Sequence, residues 1–558
     1  MRAHSPNSLS VAPVKHHAAL SHRTVRQLRG VAAGICQFEP LESRRLLSAT
    51  YYVSPYGNNF ASGTSTSSAW RSVDRVNKQT LRDGDKVLFR GGSTFSGSLA
   101  LAGAEGGTSS SPVTFGSYGT GRATISSGDK PGIDIADAAG VVVNNLRFVG
   151  SGMTRNDAAG IYLHTASANR VLSFLRVHDV EVKSYGFEAI SLRTDTSGSS
   201  LSDVRIERCD LHDNLYGGIK VVGSRHNGNK NYVVDHVNAY NSPGSRSSSG
   251  VTGSGIFLAD VDGAVVRRCV VHDNGRDGAA PVGVWAAGSN RVTFEYNESY
   301  YNHTRTTTDG GGFNLDWDVT NSVMQYNYSH GNDGPGYLLA AGSHVNRGNV
   351  IRYNVSQNDG RRNGRAAIHL WGGITDAGIY NNVIYMSATG NSASAAFYVH
   401  NLGAGGHVPN NVQVRNNIFY TTGGVKLIDL TKEIAAGATN LKFTGNAYYS
   451  GGSTFRIEWG DRAFSGLSAW RSATGQEKSN GASTGYQGDP KLASAGHGLT
   501  IGNADRLWSL GAYKLQAASP LINKGVSPPT FLSAAAHDFY GDSLPKGGKY
   551  EIGIDEVR

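Results

Sequence analysis

The chain is expected to be all-β: a right-handed parallel β-helix of about 10–12 coils, with an N-terminal helix and strand cap and a C-terminal capping tail. Two observations predict this. With 73 glycines and only 17% charged residues in 558, the composition favours many tight turns and few long solvated helices. A repeat also runs through the middle. "VVVNNLRF", "VTFEYNES", "SVMQYNYS", "NVIRYNVS", "AGIYNNVI", "VQVRNNIF" and "LKFTGNAY" share alternating apolar residues followed by Asn145, Asn297, Asn327, Asn354, Asn382, Asn417 and Asn446. Asp179, Cys209, Val237 and Cys269 fill the same slot between Asn145 and Asn297. The step is about 30 residues, the length of one coil.

Four regions follow. Residues 1–49 hold seven of the basic residues against two glutamates, so they carry most of the net charge of +9. This basic segment ends in "FEPLESRRLLSA" and is read as an export or sorting segment, which places the protein in the secreted or cell-surface class. Residues 50–130 form the N-terminal cap and first coils, with Trp70, Val73 and Val76 on one face of a Ser-initiated helix that blocks edge pairing. Residues 131–460 are the repeats, and 461–558 a capping region with a short helix around Leu467 to Arg471.

Coils stack because none can bury its apolar positions alone, and an Asn repeated at one turn can hydrogen-bond its neighbours in an internal ladder. Cys209 and Cys269 in that slot are small inward fillers rather than a disulfide. Outside the leader the charge is too weak for nucleic acid, and no stretch approaches the ~20 apolar residues of a membrane span. A monomer acting on a polysaccharide is expected, with no certain cofactor.

After each slot comes a glycine-bearing turn and a short strand. Side chains on a strand alternate between faces, so the outward residues can be read off. The row nearest the turn is Tyr162, Ser191, Lys220, Phe257, Trp285, Asn314, Leu338, His369 and Tyr398. The next is His164, Arg193, Val222, Ala259, Ala287, Asp316, Ala340, Trp371 and His400, with Asp318 following Asp316. In "GGFNLDWD", Phe313, Leu315 and Trp317 are expected in the core and Asn314, Asp316 and Asp318 in a groove. Aromatic faces among polar groups suit pyranose rings, which assigns Asn314, Trp285, Phe257, Trp371, Tyr398, His400, Arg193 and His164 to substrate binding.

The entry "DGDKVLFRGGSTFSGSL" with "PVTFGSYGTGRATI" resembles that of bacterial right-handed β-helix proteins of the pectin-lyase-like superfamily, over roughly residues 50 to 460. That superfamily includes hydrolases, lyases, epimerases and adhesins, so the resemblance implies fold more than reaction. "GFNLDW" resembles a motif of β-helix β-xylosidase-like glycosidases in which the LDW aspartate is catalytic, which implies that role for Asp316. The following coil, "GYLLAAGSHV", lacks the outward glutamate of such enzymes, leaving Asp318, Asp333 and Asp309 as candidates for the second carboxylate. Two acids in proximity push their pKa values apart, as glycoside hydrolysis requires. The alternative is β-elimination from a uronic-acid polymer, with Lys220 or His369 as base, Arg193 as charge clamp and Ca²⁺ on the acid pair. A third reading is a non-catalytic glycan-binding surface protein.

Overall fold

The computed structural model describes residues 48–557 apart from residue 389; the export-segment expectation lies almost wholly outside them. Strand pairing is almost entirely parallel and joins each strand to the one a coil away. The coils, about 13 turns, stack into three ladders.

One ladder runs from Thr50–Val53 through Val171–His178 to Thr439–Thr444. A second holds fourteen strands from Thr94–Ser96 to Tyr486–Gln487. The third carries the glycine-turn strands: Ile161–His164, Glu188–Thr194, Gly217–Gly223, Ser254–Ala259, Val282–Ala287, Gly311–Leu315, Tyr337–Arg347, Ala366–Tyr380 and Ala395–His400. Its inward residues, among them Ile161, Ile190, Ile219, Ile256, Val284 and Phe313, are buried in one continuous core.

The asparagine slot forms an internal ladder. The Nδ2 of Asn297, Asn327, Asn354, Asn382 and Asn417 each donates to the Oδ1 of the next, ending on Asn446, at 2.8–3.0 Å. Glu477 closes the stack, its Oε1 accepting from Asn446 Nδ2 at 2.8 Å and Tyr448 Oη at 2.8 Å. Cys209 and Cys269 are buried free thiols in this slot, and Asn297 Oδ1 accepts from the Cys269 amide at 2.9 Å. Asn145 and Asp179, expected in the slot, lie one position earlier. Register places Leu146 and Val180 there, while Asn145 (φ 48°) and Asp179 (φ 58°) occupy the left-handed corner that asparagine and aspartate tolerate best.

Both ends are closed. Ser72 caps a single turn, Val73–Val76, accepting from the Arg75 amide at 3.3 Å, and Trp70, Val73 and Val76 are buried. A Cβ on Gly97 would lie 3.1 Å from Val73, which shows how closely this turn rests on the first coil. At the far end Arg462–Phe464 pairs antiparallel with Ile457–Trp459 and ends the parallel stack, followed by the helix Leu467–Thr474.

Candidate active site

The two outward rows are read in the expected register. Tyr162, Ser191, Lys220, Phe257, Trp285, Asn314, Leu338, His369 and Tyr398 are consecutive partners across the third ladder. In the second row His164 pairs with Arg193, and Ala340 with Trp371 and then His400.

The strand carrying the acids ends sooner than alternation predicts. It stops at Leu315; the Asp316 amide still donates to Ala286 O at 2.9 Å, but the chain then turns, with Asp318 at φ 58°. Trp317 is therefore not in the core: it is 46% exposed and stacks on His344 with ring centroids 5.2 Å apart. Asp318 does not share a strand face with Asp316. Its carboxylate accepts from His344 Nδ1 and the Val345 amide, both at 3.1 Å, and so ties this turn to the next coil.

Asp316 sits at the strand end, its carboxylate accepting from Asn314 Nδ2 at 3.1 Å and the Trp317 amide at 2.9 Å. Burial first and the nearby Asp309 second push its pKa up to about 8. Asp309, in a left-handed turn before Gly310 (φ 76°), is pushed by burial up to about 7, with Arg365 pulling the other way. Of the candidate acids, Asp309 is the one whose charge acts on Asp316, and it stands in the preceding loop rather than along the strand.

Asp333 is committed elsewhere. Although burial opposes ionisation, His303, the Thr304 amide and Arg362 hold its carboxyl below the ordinary value. It laces the groove loops together: Arg362 pairs with Asp333 and donates to Thr304 O at 3.0 Å, and Asn363 Nδ2 donates to Asp309 O at 2.9 Å.

Several outward residues are buried despite their orientation. Asn314 is 1% and His369 4% exposed, and Asn314 Oδ1 and both His369 ring nitrogens have no hydrogen-bond partner. Burial, with His400 and Arg365 adding to it, holds the His369 pKa well below its ordinary value, so the ring is neutral. Tyr398 and His400 stack against it at 5.1 and 4.9 Å. Burial likewise lowers His400 to about 4. Trp371 donates from Nε1 to Leu402 O at 2.8 Å, and a Cβ on Gly342 would touch both Trp371 and Trp317. The two indoles therefore flank a glycine that leaves room between them.

Toward the N-terminal end, Phe257 and Trp285 stack at 3.6 Å, and Trp285 Nε1 donates to Ser254 Oγ. Lys220 pairs with the buried Glu188 at 3.5 Å. Arg193 lies 3.7 Å from Asp195, and His164 Nε2 is 3.1 Å from Asp134. These residues are five coils or fewer from Asn314 on the same face but do not meet the acids.

Asp318 is turned to His344, and among the described residues no group of three or more His, Cys, Asp or Glu is placed to hold a metal ion. Trp317 and Arg365 were missed by the sequence reading. Trp317 could have been suspected, because two acids flanking a Trp disfavour a continuing strand.

The family model described as "Right handed beta helix region" matches residues 177–384. The chain is 25% identical over 445 residues to a lacto-N-biosidase of Bifidobacterium longum subsp. longum, covering 61% of this chain and 27% of that protein. It thus spans about a quarter of the curated relative it matches. Among solved structures, a GH136 lacto-N-biosidase from Eubacterium ramulus is similar at 17% identity and a TM-score of 0.47, covering 74% of this chain and 67% of that one. The pectate lyase Pel9A is similar at 15% identity and a TM-score of 0.39, covering 92% and 97%. The parallel ladders make this chain a parallel β-solenoid, and over residues 177–384 it matches the model of the right-handed β-helix region.

Proposed function

We propose that the chain is a secreted or cell-surface glycoside hydrolase that cleaves a glycan in the groove, with Asp309 and Asp316 as its two carboxyl groups. The observation that carries this is a pair of acids that burial holds far above the ordinary carboxyl value, Asp309 at about 7 and Asp316 at about 8, with the Asp309 charge acting on Asp316. Near neutral pH, Asp309 is the one to ionise, because Arg365 favours its charged form. Asp316 then stays protonated, disfavoured from ionising by burial and by the Asp309 charge.

That division suits glycosidic cleavage. Asp316 donates its proton to the leaving-group oxygen, so the sugar departs as an alcohol. The Asp309 carboxylate acts on the opposite side of the bond, attacking the anomeric carbon or taking a proton from the water that does. Asn314 Nδ2 fixes the Asp316 carboxyl, while the unpartnered Asn314 Oδ1 and neutral His369 offer an acceptor and a donor to sugar hydroxyls. Trp317 and Trp371 offer ring faces at the rim.

The name of the Bifidobacterium longum relative, an enzyme that releases a sugar unit, supports this class without fixing the sugar. A β-eliminating base is less well supplied. Lys220, one of the two candidate bases, is engaged with Glu188.

The test is an assay of the full chain on a panel of neutral and uronic glycans. New reducing ends without the ultraviolet absorbance of an unsaturated uronate are expected, and are lost in Asp316→Asn and Asp309→Asn. Unsaturated product, or full activity in both variants, overturns the proposal.

A further inference from the structure

Five register steps toward the N-terminus from Asn314, the same row of the third ladder opens into a cavity of about 700 Å³. At ~4.8 Å per coil it lies about 24 Å from the acids. Its size falls within the range of small-molecule sites.

Tyr162 and Arg193 come from neighbouring strands, and Phe187 from the turn before the second of them. All three side chains are partly accessible, and the Arg193 guanidinium lies 5.1 Å from the centre of the Phe187 ring. The opposite wall is the loop around Arg155 to Ala159, and it is held rigidly. The buried Asn156 donates to Gly152 O and Ser184 O and accepts from the Ala158 and Gly186 amides. A Cβ on Gly186 would collide with Asn156 O at 1.6 Å, so only glycine lets this wall pack against the next coil. The cavity is therefore preformed rather than a gap under a slack loop.

Part of its polar lining is uncommitted, although Asp129 accepts from Ser151 Oγ. Lys130, Arg155 and Asp157 are exposed and have no side-chain partner among the described residues, and the Arg193 to Asp195 contact is loose. Three cations (Lys130, Arg155, Arg193) face three carboxylates (Asp129, Asp157, Asp195). An anionic ligand would be repelled by the carboxylates as strongly as it is drawn by the cations. A neutral polyhydroxyl ring uses both as donors and acceptors while laying its C–H face on the side of Tyr162 away from His164, or on the part of Phe187 that Arg193 and Tyr216 leave open.

We propose that this cavity is a remote subsite for a neutral sugar of the same glycan chain whose bond is cleaved at Asp309 and Asp316. The inference rests on the cleavage site only for its distance. It makes the protein a reader of long neutral chains rather than of a terminal disaccharide alone.

The experiment uses the full chain carrying Asp316→Asn, so that binding is read without turnover, on an array of neutral and uronic oligosaccharides graded from disaccharide to decasaccharide. Neutral chains long enough to span both places should bind about tenfold more tightly than short ones, the increment of one or two ring contacts. Adding Tyr162→Ala and Phe187→Ala should abolish that length dependence, and Tyr162→Phe should retain it. Thermal melting of each variant confirms that the coils remain folded. Length-independent affinity, preference for uronic chains, no binding, or a length dependence that survives loss of both rings overturns the proposal. Failure of the cleavage reading would show instead as no new reducing ends from the parent chain on any glycan of the panel, which leaves the array result standing.

Discussion

Two rows of polar side chains run along this solenoid, and they are built in opposite ways. Inside, the asparagines from Asn297 to Asn446 hand hydrogen bonds from coil to coil with both amide atoms engaged, and Glu477 terminates the chain. On the outside of the third ladder, Glu188 Oε2, Ser191 Oγ, Asn314 Oδ1 and both His369 nitrogens are buried with no partner. The first row holds the stack together. The second bears desolvation costs the stack does not need, which is the mark of a surface arranged for a ligand.

The sharpest way to break this contrast is at Asp316. Asp316→Asn should lower turnover by about 10²- to 10⁴-fold, the usual contribution of general acid catalysis, measured as release of reducing ends. The same variant should be more stable than the parent at alkaline pH. An acid whose folded pKa of about 8 exceeds its ordinary 3.8 carries no penalty below 3.8, accumulates one as pH rises between the two values, and keeps it above. Calorimetry should therefore show a higher Tm for the variant near about pH 9 and equal values near about pH 3.

Next in size is the structural row. Asn354→Leu removes the acceptor of the Asn327 backbone amide and one of the two acceptors of Asn327 Nδ2, together with the Nδ2 bonds to Met324 O and Asn382 Oδ1, and should cost about 3 kcal/mol in denaturant unfolding. Asn314→Leu on the outer row should cost under about 1 kcal/mol, because half of its amide has no partner to lose. Equal costs would erase the distinction.

A smaller effect separates the two acids. The profile of kcat/KM against pH should be bell-shaped, falling below about 7 as Asp309 takes up a proton and above about 8 as Asp316 loses one. Removing the cation in Arg365→Ala should move the acid limb to higher pH, and Arg365→Lys should restore it. The smallest effect is expected for Lys220→Ala, with turnover within about threefold of the parent under the hydrolase reading. A loss as large as that of Asp316→Asn would point to elimination instead.

Much of this was legible in the sequence because a repeat makes register readable. Once the coil step was found, alternation placed Tyr162, Lys220, Trp285, Asn314 and His369 in one row before any coordinates. What failed was local. Alternation continued through Trp317, whereas the backbone turns after Leu315, and so Trp317 points out and Asp318 toward His344. The slot was misplaced by one at Asn145 and Asp179, since asparagine and aspartate suit a left-handed corner as well as an internal ladder. A second polar ladder, Asn274 to Asn302 to Asn332 to Asp359, went unread although "HDNG", "YYNHT" and "HGND" recur one coil apart. The partnership of Asp309 with Asp316 depends on how the preceding loop folds back, and Arg362 and Asn363 lace that loop from two coils away.

The most direct test of the account is the titration of the acids themselves. With ¹³C-labelled aspartate carboxyls followed by NMR, and Asp309→Asn and Asp316→Asn used for assignment, two resonances should titrate near 7 and 8, that of Asp316 moving down when Asp309 is removed. Two carboxyls titrating independently at ordinary aspartate values would contradict the central claim that this pair is held poised for proton transfer.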